Sequence, residues 1–319
     1  QPPASVITMA QGARINAGTG TVTIRLLDGA GDPQRVNGAI TLSNILGGRI
    51  DVRNLGTSAG SNISLLTGGV LSASGTGRAI DLASLSGEVI NLAGDAGLVL
   101  TGGGHYGIFA ATPSGSQIGS FANYARRYNV AASTAYDTLN PGGNFAAFRI
   151  APVLTVTANN ATRFYGSADP VFTASFTGFQ PGDGVAGISG TPQFTTSAAA
   201  TSNIGTFTLN AARGTLVSEQ GYQFTFNPGL LTITARPITV TANNLSRIYG
   251  NANPALTFTV GGQGLANGDQ LSGALATTAN ATTGVGTVAI TQGSLAASSN
   301  YQLTFVGGLL TITQRLLTV

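Results

Sequence analysis

The feature that most constrains this chain is a segment that occurs twice in tandem, at residues 153–235 and 236–314. The two copies stay aligned in their strand-like pieces and differ in the lengths of the loops between them, which is typical of duplicated copies of one small fold. The shared pieces are an opening strand, a Tyr-Gly pair, a central Gly-Asp pair and a closing Thr-Ile-Thr strand: Leu154–Asn160 and Ile238–Asn244, Tyr165-Gly166 and Tyr249-Gly250, Gly182-Asp183 and Gly268-Asp269, and Thr232–Thr234 and Thr311–Thr313.

Within each copy apolar and polar residues alternate, as in Tyr222–Phe226, and this period of two predicts strands with one buried face. Each copy holds six or seven such segments, which fit a sandwich-like or a grasp-like β domain. The sequence Thr234-Ala235-Arg236 leaves almost no linker between the copies, so we expect a stiff rod rather than a flexible string. Residues 315–319 repeat the opening of the second copy and predict the first strand of a truncated third repeat.

The composition indicates an all-β chain. Its 319 residues include 46 glycines and only 8% charged residues, which is too few for the solvent-exposed faces of long helices. All 14 basic residues are arginine and there is no cysteine, which excludes disulfides and lysine–asparagine cross-links. The net charge of +3 is scattered, whereas a nucleic-acid binder would show a dense basic stripe, so we expect no nucleic-acid partner. No apolar run reaches the length of a membrane span, and we expect any targeting segment to lie upstream.

Residues 1–104 consist of short strand-like pieces separated by turn residues. Apolar pairs such as Ile50/Val52 and Ile80/Leu82 recur at a spacing of about ten residues, with a turn residue in nearly every gap. Two folds compete: an antiparallel meander or barrel, and a parallel β-helix with two or three short strands in a coil of about 20 residues. Because the strands are very short and no Phe, Tyr or Trp occurs here, we favour the end of a right-handed parallel β-helix.

An aromatic-rich segment follows at residues 105–152. The last coil of a β-helix exposes an apolar end and open strand edges, so we predict that this segment is a cap and connector. His105, the only histidine, opens the segment. We expect it to be a cap or surface residue rather than a catalytic or metal-binding one.

The repeated motifs resemble the MBG domain of bacterial surface proteins, in its YGX type: the opening Leu/Ile-Thr-Val-Thr-Ala-Asn, the Tyr-Gly pair, the central Gly-Asp and the terminal Thr-Ile-Thr. The block that runs from Tyr106 through Arg126-Arg127-Tyr128-Asn129 to Arg149–Pro152 is similar to the segment that joins β-helix to repeats in filamentous-haemagglutinin-like exoproteins of two-partner secretion systems. This resemblance implies an adhesin that is secreted or held at the bacterial cell surface and is exported through an outer-membrane partner.

Charged residues on two predicted strands form the first candidate site. Arg49, Asp51 and Arg53 alternate on one strand and so share a face, and Arg78 and Asp81 follow further along. The cluster suits an acidic sugar, and it equally suits a solvated ladder of opposite charges. A β-helix glycan lyase or hydrolase would gather carboxylates with basic residues on one face of consecutive coils, and the carboxylates here are spread singly. We therefore predict no enzymatic activity, no metal and no cofactor.

An arginine–tyrosine pair is the second candidate site. Arg163 and Tyr165 recur as Arg247 and Tyr249, two residues apart and hence on one face of a strand. A surface pair would let a sugar ring stack on it; alternatively, the arginine stem packs on a structural tyrosine, which duplication of the fold favours. The aspartates that follow the central glycines are predicted to be turn residues: Asp183 and Asp269.

The features together predict a non-catalytic adhesin segment, a stiff stalk that mediates surface attachment or cross-links a biofilm matrix. Polysaccharide or a cell-surface glycan is the expected partner, through weak contacts multiplied by avidity. The alternative is a subunit of a self-assembling extracellular filament that donates its last strand to the next molecule by β-augmentation: Leu316, Leu317, Thr318 and Val319.

Overall fold

The computed structural model describes residues 5–27, 37–119, 124–131 and 142–316, and the regular structure in these ranges is almost entirely β-strand. The exceptions within them are two short 3-10 helices, Gly94–Gly97 and Val185–Gly187. The prediction of an all-β chain is therefore confirmed. No helix in the described ranges is long and apolar enough to cross a membrane.

The chain divides into two compact units. Unit 1 comprises residues 1–155, 176–191 and 213–225, and unit 2 comprises residues 156–175, 192–212 and 226–319. The division runs through the first copy of the repeated segment (repeat 1, residues 153–235), while the second copy (repeat 2, residues 236–314) lies wholly in unit 2.

Three parallel sheets form a β-helix in unit 1, and successive strands of the chain visit them in turn. The first sheet has the order β1 (Ser5–Thr8), β4 (Asn37–Leu42), β7 (Ile63–Leu65) and β10 (Val89–Asn91). The second has the order β2 (Arg14–Asn16), β5 (Asn44–Gly47), β8 (Leu71–Ala73) and β11 (Leu98–Leu100). The third has the order β3 (Thr21–Leu26), β6 (Arg49–Asn54), β9 (Arg78–Ser84), β12 (His105–Ala110), β14 (Phe145–Phe148) and β13 (Ala125–Arg127).

The coils are longer than predicted. Partners on neighbouring coils lie between 23 residues apart, as for Ile40 and Ile63, and 33 residues apart, as for Ile7 and Ile40. The prediction of about 20 residues was wrong because each coil carries three strands and corner loops of unequal length.

Aliphatic side chains fill the interior of the β-helix in register. One column consists of Val22, Ile50, Ile80 and Tyr106, all of them buried. Since parallel coils repeat at about 4.8 Å, each side chain packs directly on its equivalent in the next coil. Burial of one such side chain stabilises the fold by about 1.5–3 kcal/mol, so aliphatic residues hold the first three coils of the column together, and an aromatic side chain enters only at Tyr106.

The third sheet continues beyond Gly104 into the segment predicted to be a cap. The strand β12 pairs in parallel with β9, β14 pairs with β12, and β13 pairs with β14. Aromatic side chains pack on both faces here: Tyr106 and Phe148 point into the helix core, whereas Phe109 and Phe145 join a separate buried cluster with Val130. The predicted cap thus contributes three strands to the sheet.

Repeat 2 consists of two mixed sheets with a shared apolar core. One sheet has the order β26 (Phe258–Gly262), β24 (Arg236–Ala242) and β29 (Tyr301–Val306), and the other has the order β25 (Leu245–Ile248), β30 (Gly308–Thr313), β28 (Gly286–Thr291) and β27 (Ala276–Thr277). The core between them includes Ala242, Ile290, Leu310 and Ile312. This two-sheet arrangement corresponds to the sandwich-like alternative.

The strands of repeat 1 follow the same order. Its sheets are β17 (Ala174–Thr177), β15 (Val153–Ala158) and β22 (Gln223–Asn227), and β16 (Ala161–Phe164), β23 (Gly229–Thr234), β20 (Gly205–Ala212) and β19 (Gln193–Thr196). A short antiparallel pair, β18 (Ile188–Ser189) and β21 (Val217–Ser218), lies in the part of repeat 1 that belongs to unit 1.

Candidate functional sites: a charged ladder and two tyrosine junctions

The third sheet of the β-helix places six charged residues on its outer face. The register aligns Asp51 of β6 with Asp81 of β9, and Arg25 of β3 with Arg53 of β6. Two carboxylates directly opposite each other repel, so this column is stable only when cations compensate it. The six residues, called the charged ladder below, are Arg25, Arg49, Asp51, Arg53, Arg78 and Asp81.

Four guanidinium groups surround the two carboxylates. Arg53 bridges them, because its Nε donates to Asp51 Oδ1 at 2.9 Å and its Nη2 donates to Asp81 Oδ2 at 3.0 Å. The remaining ion pairs join Arg25 to Asp51 at 3.4 Å, Arg49 to Asp81 at 3.7 Å and Arg78 to Asp81 at 3.8 Å. The ladder therefore unites all five charged residues singled out in the sequence and adds Arg25, whose position on the earlier coil depends on the true coil length.

The exposure of these side chains decides what the charged ladder can do. The Asp81 side chain is fully buried and that of Asp51 is 10% exposed, so neither carboxylate is free to act as a general base. The side chains of Arg25 and Arg49 are 51% and 45% exposed. Among the six ladder residues themselves, four arginines outnumber two aspartates, and the guanidinium groups of Arg25 and Arg49 are the ones that face solvent.

His105 lies in the same sheet, on the strand next to β9. It begins β12 and pairs with Arg78, and burial together with the positive charge of Arg78 lowers the pKa of its imidazole. Within the described ranges, no group of three or more His, Cys, Asp and Glu side chains could hold a metal ion.

The arginine–tyrosine pairs of the repeats do not form surface platforms. The side chain of Arg163 is 3% exposed; its Nε donates to Asp169 Oδ1 at 2.6 Å and its Nη2 donates to the Ala199 carbonyl at 2.7 Å. Arg247 is buried likewise, with its Nε bonded to Asn253 Oδ1 at 2.8 Å and its Nη2 bonded to the Asn280 carbonyl. A sugar-stacking role is therefore wrong for Arg163, Tyr165 and Arg247, because their shared strand face is the buried one.

Tyr165 instead takes part in a junction with repeat 2, inside unit 2. Its ring meets the ring of Tyr301 edge-on, with 5.5 Å between centroids. The hydroxyl of Tyr301 is held by Asp269 Oδ2 at 2.8 Å and by the amide of Ala266 at 2.9 Å. Arg236 reinforces the contact, because its Nη1 donates to the Tyr165 carbonyl at 3.2 Å.

A similar junction lies inside unit 1, between the end of the β-helix and repeat 1. The rings of Tyr128 and Tyr222 meet edge-on at 4.8 Å, and both hydroxyls donate to Asp183 Oδ2, at 2.6 and 2.7 Å. Arg126 donates to Asp183 Oδ1 at 2.9 Å. Burial, followed by hydrogen bonding to Asp183, raises the pKa of both tyrosines. Asp183 and Asp269 do follow turns, as predicted, but their carboxylates also anchor the junction tyrosines.

The arginine–tyrosine pair of the repeats has a third occurrence, at residues 126–128, which was not singled out in the sequence. Arg-x-Tyr followed by Gly or Asn occurs three times: Arg126–Asn129, Arg163–Gly166 and Arg247–Gly250. Its last residue has a positive φ each time, +59°, +69° and +87°, which glycine and asparagine adopt more readily than other residues. The strand before each tyrosine pairs in parallel with a later strand: β13 with β14, β16 with β23 and β25 with β30. In the first two cases an MBG domain follows that later strand.

The predicted donor strand is only partly described. Leu316 is 94% exposed, whereas Leu317, Thr318 and Val319 lie outside the described residues. Strand donation therefore stays a prediction.

Comparison with known proteins identifies the repeats. The family model of the MBG domain (YGX type) matches residues 154–232 and 238–311, so this chain carries two MBG domains in tandem. Both matches lie within the predicted repeats. No curated protein and no solved structure matches the chain significantly. The filamentous-haemagglutinin-like identity concerns residues outside the matched ranges and stays a prediction.

Proposed function

We propose that this chain is a non-catalytic segment of a secreted or surface-held bacterial adhesin that binds acidic polysaccharide. The tandem MBG domains support the adhesin class. Export through an outer-membrane partner, as in filamentous-haemagglutinin-like exoproteins, belongs to the same proposal and rests on the resemblance of the segment that follows the β-helix. The role is that of a stalk that attaches a cell to a surface or cross-links a biofilm matrix.

The observation that carries the ligand proposal is the excess of guanidinium groups in the charged ladder. Arg53 and Arg78 are committed to the buried aspartates, which fixes the sheet and leaves Arg25 and Arg49 to face solvent. A guanidinium group recognises carboxylate or sulfate by paired hydrogen bonds. The ladder therefore suits a polymer of uronic acids or sulfated sugars better than a neutral glycan.

The state of the carboxylates supports a binding role over a catalytic one. Glycoside cleavage needs one carboxyl group to give a proton and a second to attack or to activate water. In the charged ladder both carboxylates are saturated by arginines and shielded from solvent. Exposed ion pairs are individually weak, so attachment would depend on many such contacts along one polymer.

The test is binding of the whole protein to alginate, a polyuronate, with neutral dextran as the comparison polymer. The double variant Arg25→Gln/Arg49→Gln removes the two exposed charges and leaves the Arg53 bridge in place. If each exposed contact contributes about 0.7 kcal/mol, the loss of two weakens alginate binding about tenfold. Binding should also weaken as salt rises.

The matched control is Arg14→Gln/Arg149→Gln, which removes the same charge from two exposed arginines outside the ladder. An equal loss of affinity in this control would show that net charge alone binds the polymer. Failure of the unmodified protein to bind either alginate or heparin would refute the ligand proposal. Release of reducing ends or unsaturated products from either polymer would refute its non-catalytic part.

A further inference from the structure

The tyrosines of the three Arg-x-Tyr motifs differ in their exposure to solvent. Tyr128 and Tyr165 are buried, at 3% and 4% exposure, whereas Tyr249 is 41% exposed. The first two are covered by the clamp tyrosines Tyr222 and Tyr301, each held by its aspartate. Tyr249 therefore occupies the position of a covered residue and lacks the same cover.

The glycine after each tyrosine shows the same contrast. A Cβ atom added to Gly166 would lie 2.3 Å from Cβ of Ala266, which belongs to repeat 2. At Gly250 the nearest atom to an added Cβ is Nη1 of Arg315, at 3.1 Å. Both glycines have the left-handed conformation, so the backbone at Gly250 already has the shape that accepts a domain at Gly166.

An arginine follows the last strand of each repeat at the same distance. Arg236 follows β23 and joins the junction by donating to the Tyr165 carbonyl and, through Nη2, to the Gln263 carbonyl at 2.6 Å. Arg315 follows β30 in the same way and lies against Gly250. In Arg236, Nε and Nη2 donate to loop carbonyls of repeat 2, the domain that begins at this residue. The same groups of Arg315 would donate to the loop of a following domain.

We propose that Tyr249, Gly250 and Arg315 form a docking surface for a third MBG-type domain, which binds there as repeat 2 binds to repeat 1. The occupant must bring a clamp tyrosine that is not yet engaged. Both clamp tyrosines of this chain are engaged, Tyr222 with Tyr128 and Tyr301 with Tyr165, so a second copy of the chain does not fit. This inference is independent of the ligand proposal, because none of its residues belongs to the charged ladder.

The test uses the full chain and a longer chain in which residues 1–314 are followed by a second copy of residues 236–314. Tyrosine nitration by tetranitromethane is read out by peptide mass spectrometry, and the chain has neither cysteine nor tryptophan to compete for the reagent. In the natural chain Tyr249 should react faster than Tyr165 by about tenfold or more, since a buried ring reacts only during local opening. In the longer chain Tyr249 should react as slowly as Tyr165.

Two controls connect the protection to the clamp. Replacing the added copy's counterpart of Tyr301 with alanine should restore nitration of Tyr249. In the natural chain Tyr301→Ala should accelerate nitration of Tyr165 and leave Tyr249 unchanged. Hydrogen exchange in the closing strand of the added copy reports whether that copy has folded.

Unchanged nitration of Tyr249 in the longer chain, with the added copy folded, would overturn the proposal. Protection of Tyr249 that grows with protein concentration in the natural chain, together with dimers in sedimentation, would overturn the choice of occupant in favour of self-association. Loss of alginate binding would leave both readouts unaffected, so the two proposals fail separately.

Discussion

The junction between the β-helix and repeat 1 predicts that one aspartate is far more sensitive to neutralisation than its counterpart. The perturbation is Asp183→Asn, and the matched substitution in repeat 2 is Asp269→Asn. Each aspartate holds its clamp tyrosine, through contacts of 2.7 and 2.8 Å. Asp183 additionally accepts hydrogen bonds from Tyr128 and Arg126.

The magnitude follows from what asparagine can still accept. The side chain of an asparagine at position 183 has one acceptor oxygen and one donor nitrogen. In one orientation the donor would face Arg126, and in the other it would face the two tyrosine hydroxyls. In both orientations Arg126 would lose its ion pair. Removing one partner of a buried pair costs about 3–5 kcal/mol; because the Arg126 side chain is 18% exposed, we expect the lower end, about 3 kcal/mol. At position 269 the asparagine carbonyl can still accept from Tyr301, so the loss should be at most about 1 kcal/mol.

Hydrogen exchange is the suitable assay, because a chain of several domains does not unfold in one two-state step. The informative amide in unit 1 is that of Tyr128, which donates to the Gln220 carbonyl at 2.6 Å. Asp183→Asn should accelerate its exchange by about 100-fold, and Asp269→Asn should accelerate the amide of Ala266 by less than about tenfold. Equal effects at the two sites, or a larger effect of Asp269→Asn, would refute the assignment of the extra stability to Tyr128 and Arg126.

Three further predictions concern the ladder, the tyrosines and a junction glycine. Asp81→Asn should destabilise the β-helix by about 3 kcal/mol, seen as faster exchange in β6 and β9, because three arginines lose a fully buried partner; an effect below that of Asp51→Asn would contradict this. The pKa values of Tyr128 and Tyr222 are raised in the folded state, so their contribution to stability is present below the usual tyrosine pKa of about 10 and is lost as pH rises above it. Tyrosinate absorbance should show these two tyrosines ionising only when the protein unfolds at alkaline pH. Tyr128→Phe should reduce the loss of stability at alkaline pH. In thermal unfolding, Gly166→Ala should lower the free energy of unfolding by about 1 kcal/mol or more beyond the effect of Gly250→Ala. Both substitutions strain a left-handed residue by about 1–2 kcal/mol, but only the first also places a methyl group against Ala266. Equal losses would mean that the backbone at the junction shifts to relieve this contact.

The sequence was sufficient for features that depend on local pattern. Short strands, turn residues and the lack of aromatic side chains before Tyr106 predicted the parallel β-helix, and alternation predicted that Arg49, Asp51 and Arg53 share a face. Coil length and Arg25 were out of reach, because register between parallel strands is set by corner loops of unequal length and not by the strands themselves.

Alternation also left open which face of a strand is buried. Arg163 and Tyr165 do share a face, but that face is inside, while the apolar Phe164 between them is 39% exposed. Burial of Arg163 is tolerated because Asp169 and the Ala199 carbonyl lie within hydrogen-bonding reach of its guanidinium; Asp169 lies six residues along the chain, and Ala199 lies in a loop 36 residues away. Pattern alone would have placed the phenylalanine inside.

The Arg-x-Tyr motif at residues 126–128 shows which features of the motif come from duplication of the domain and which are needed for docking. Recurrence of Arg163 and Tyr165 as Arg247 and Tyr249 follows from copying one domain. Arg126 lies on β13, the edge strand of the third sheet of the β-helix, and Tyr128 directly follows that strand. The β-helix is a different fold, so copying of the domain does not account for these residues. The arginine also acts differently there, because Arg126 reaches across the junction to Asp183, whereas Arg163 bonds within its own repeat. What the two junctions share is a tyrosine followed by a residue of positive φ, so these two residues, rather than the arginine, define the surface on which an MBG domain docks.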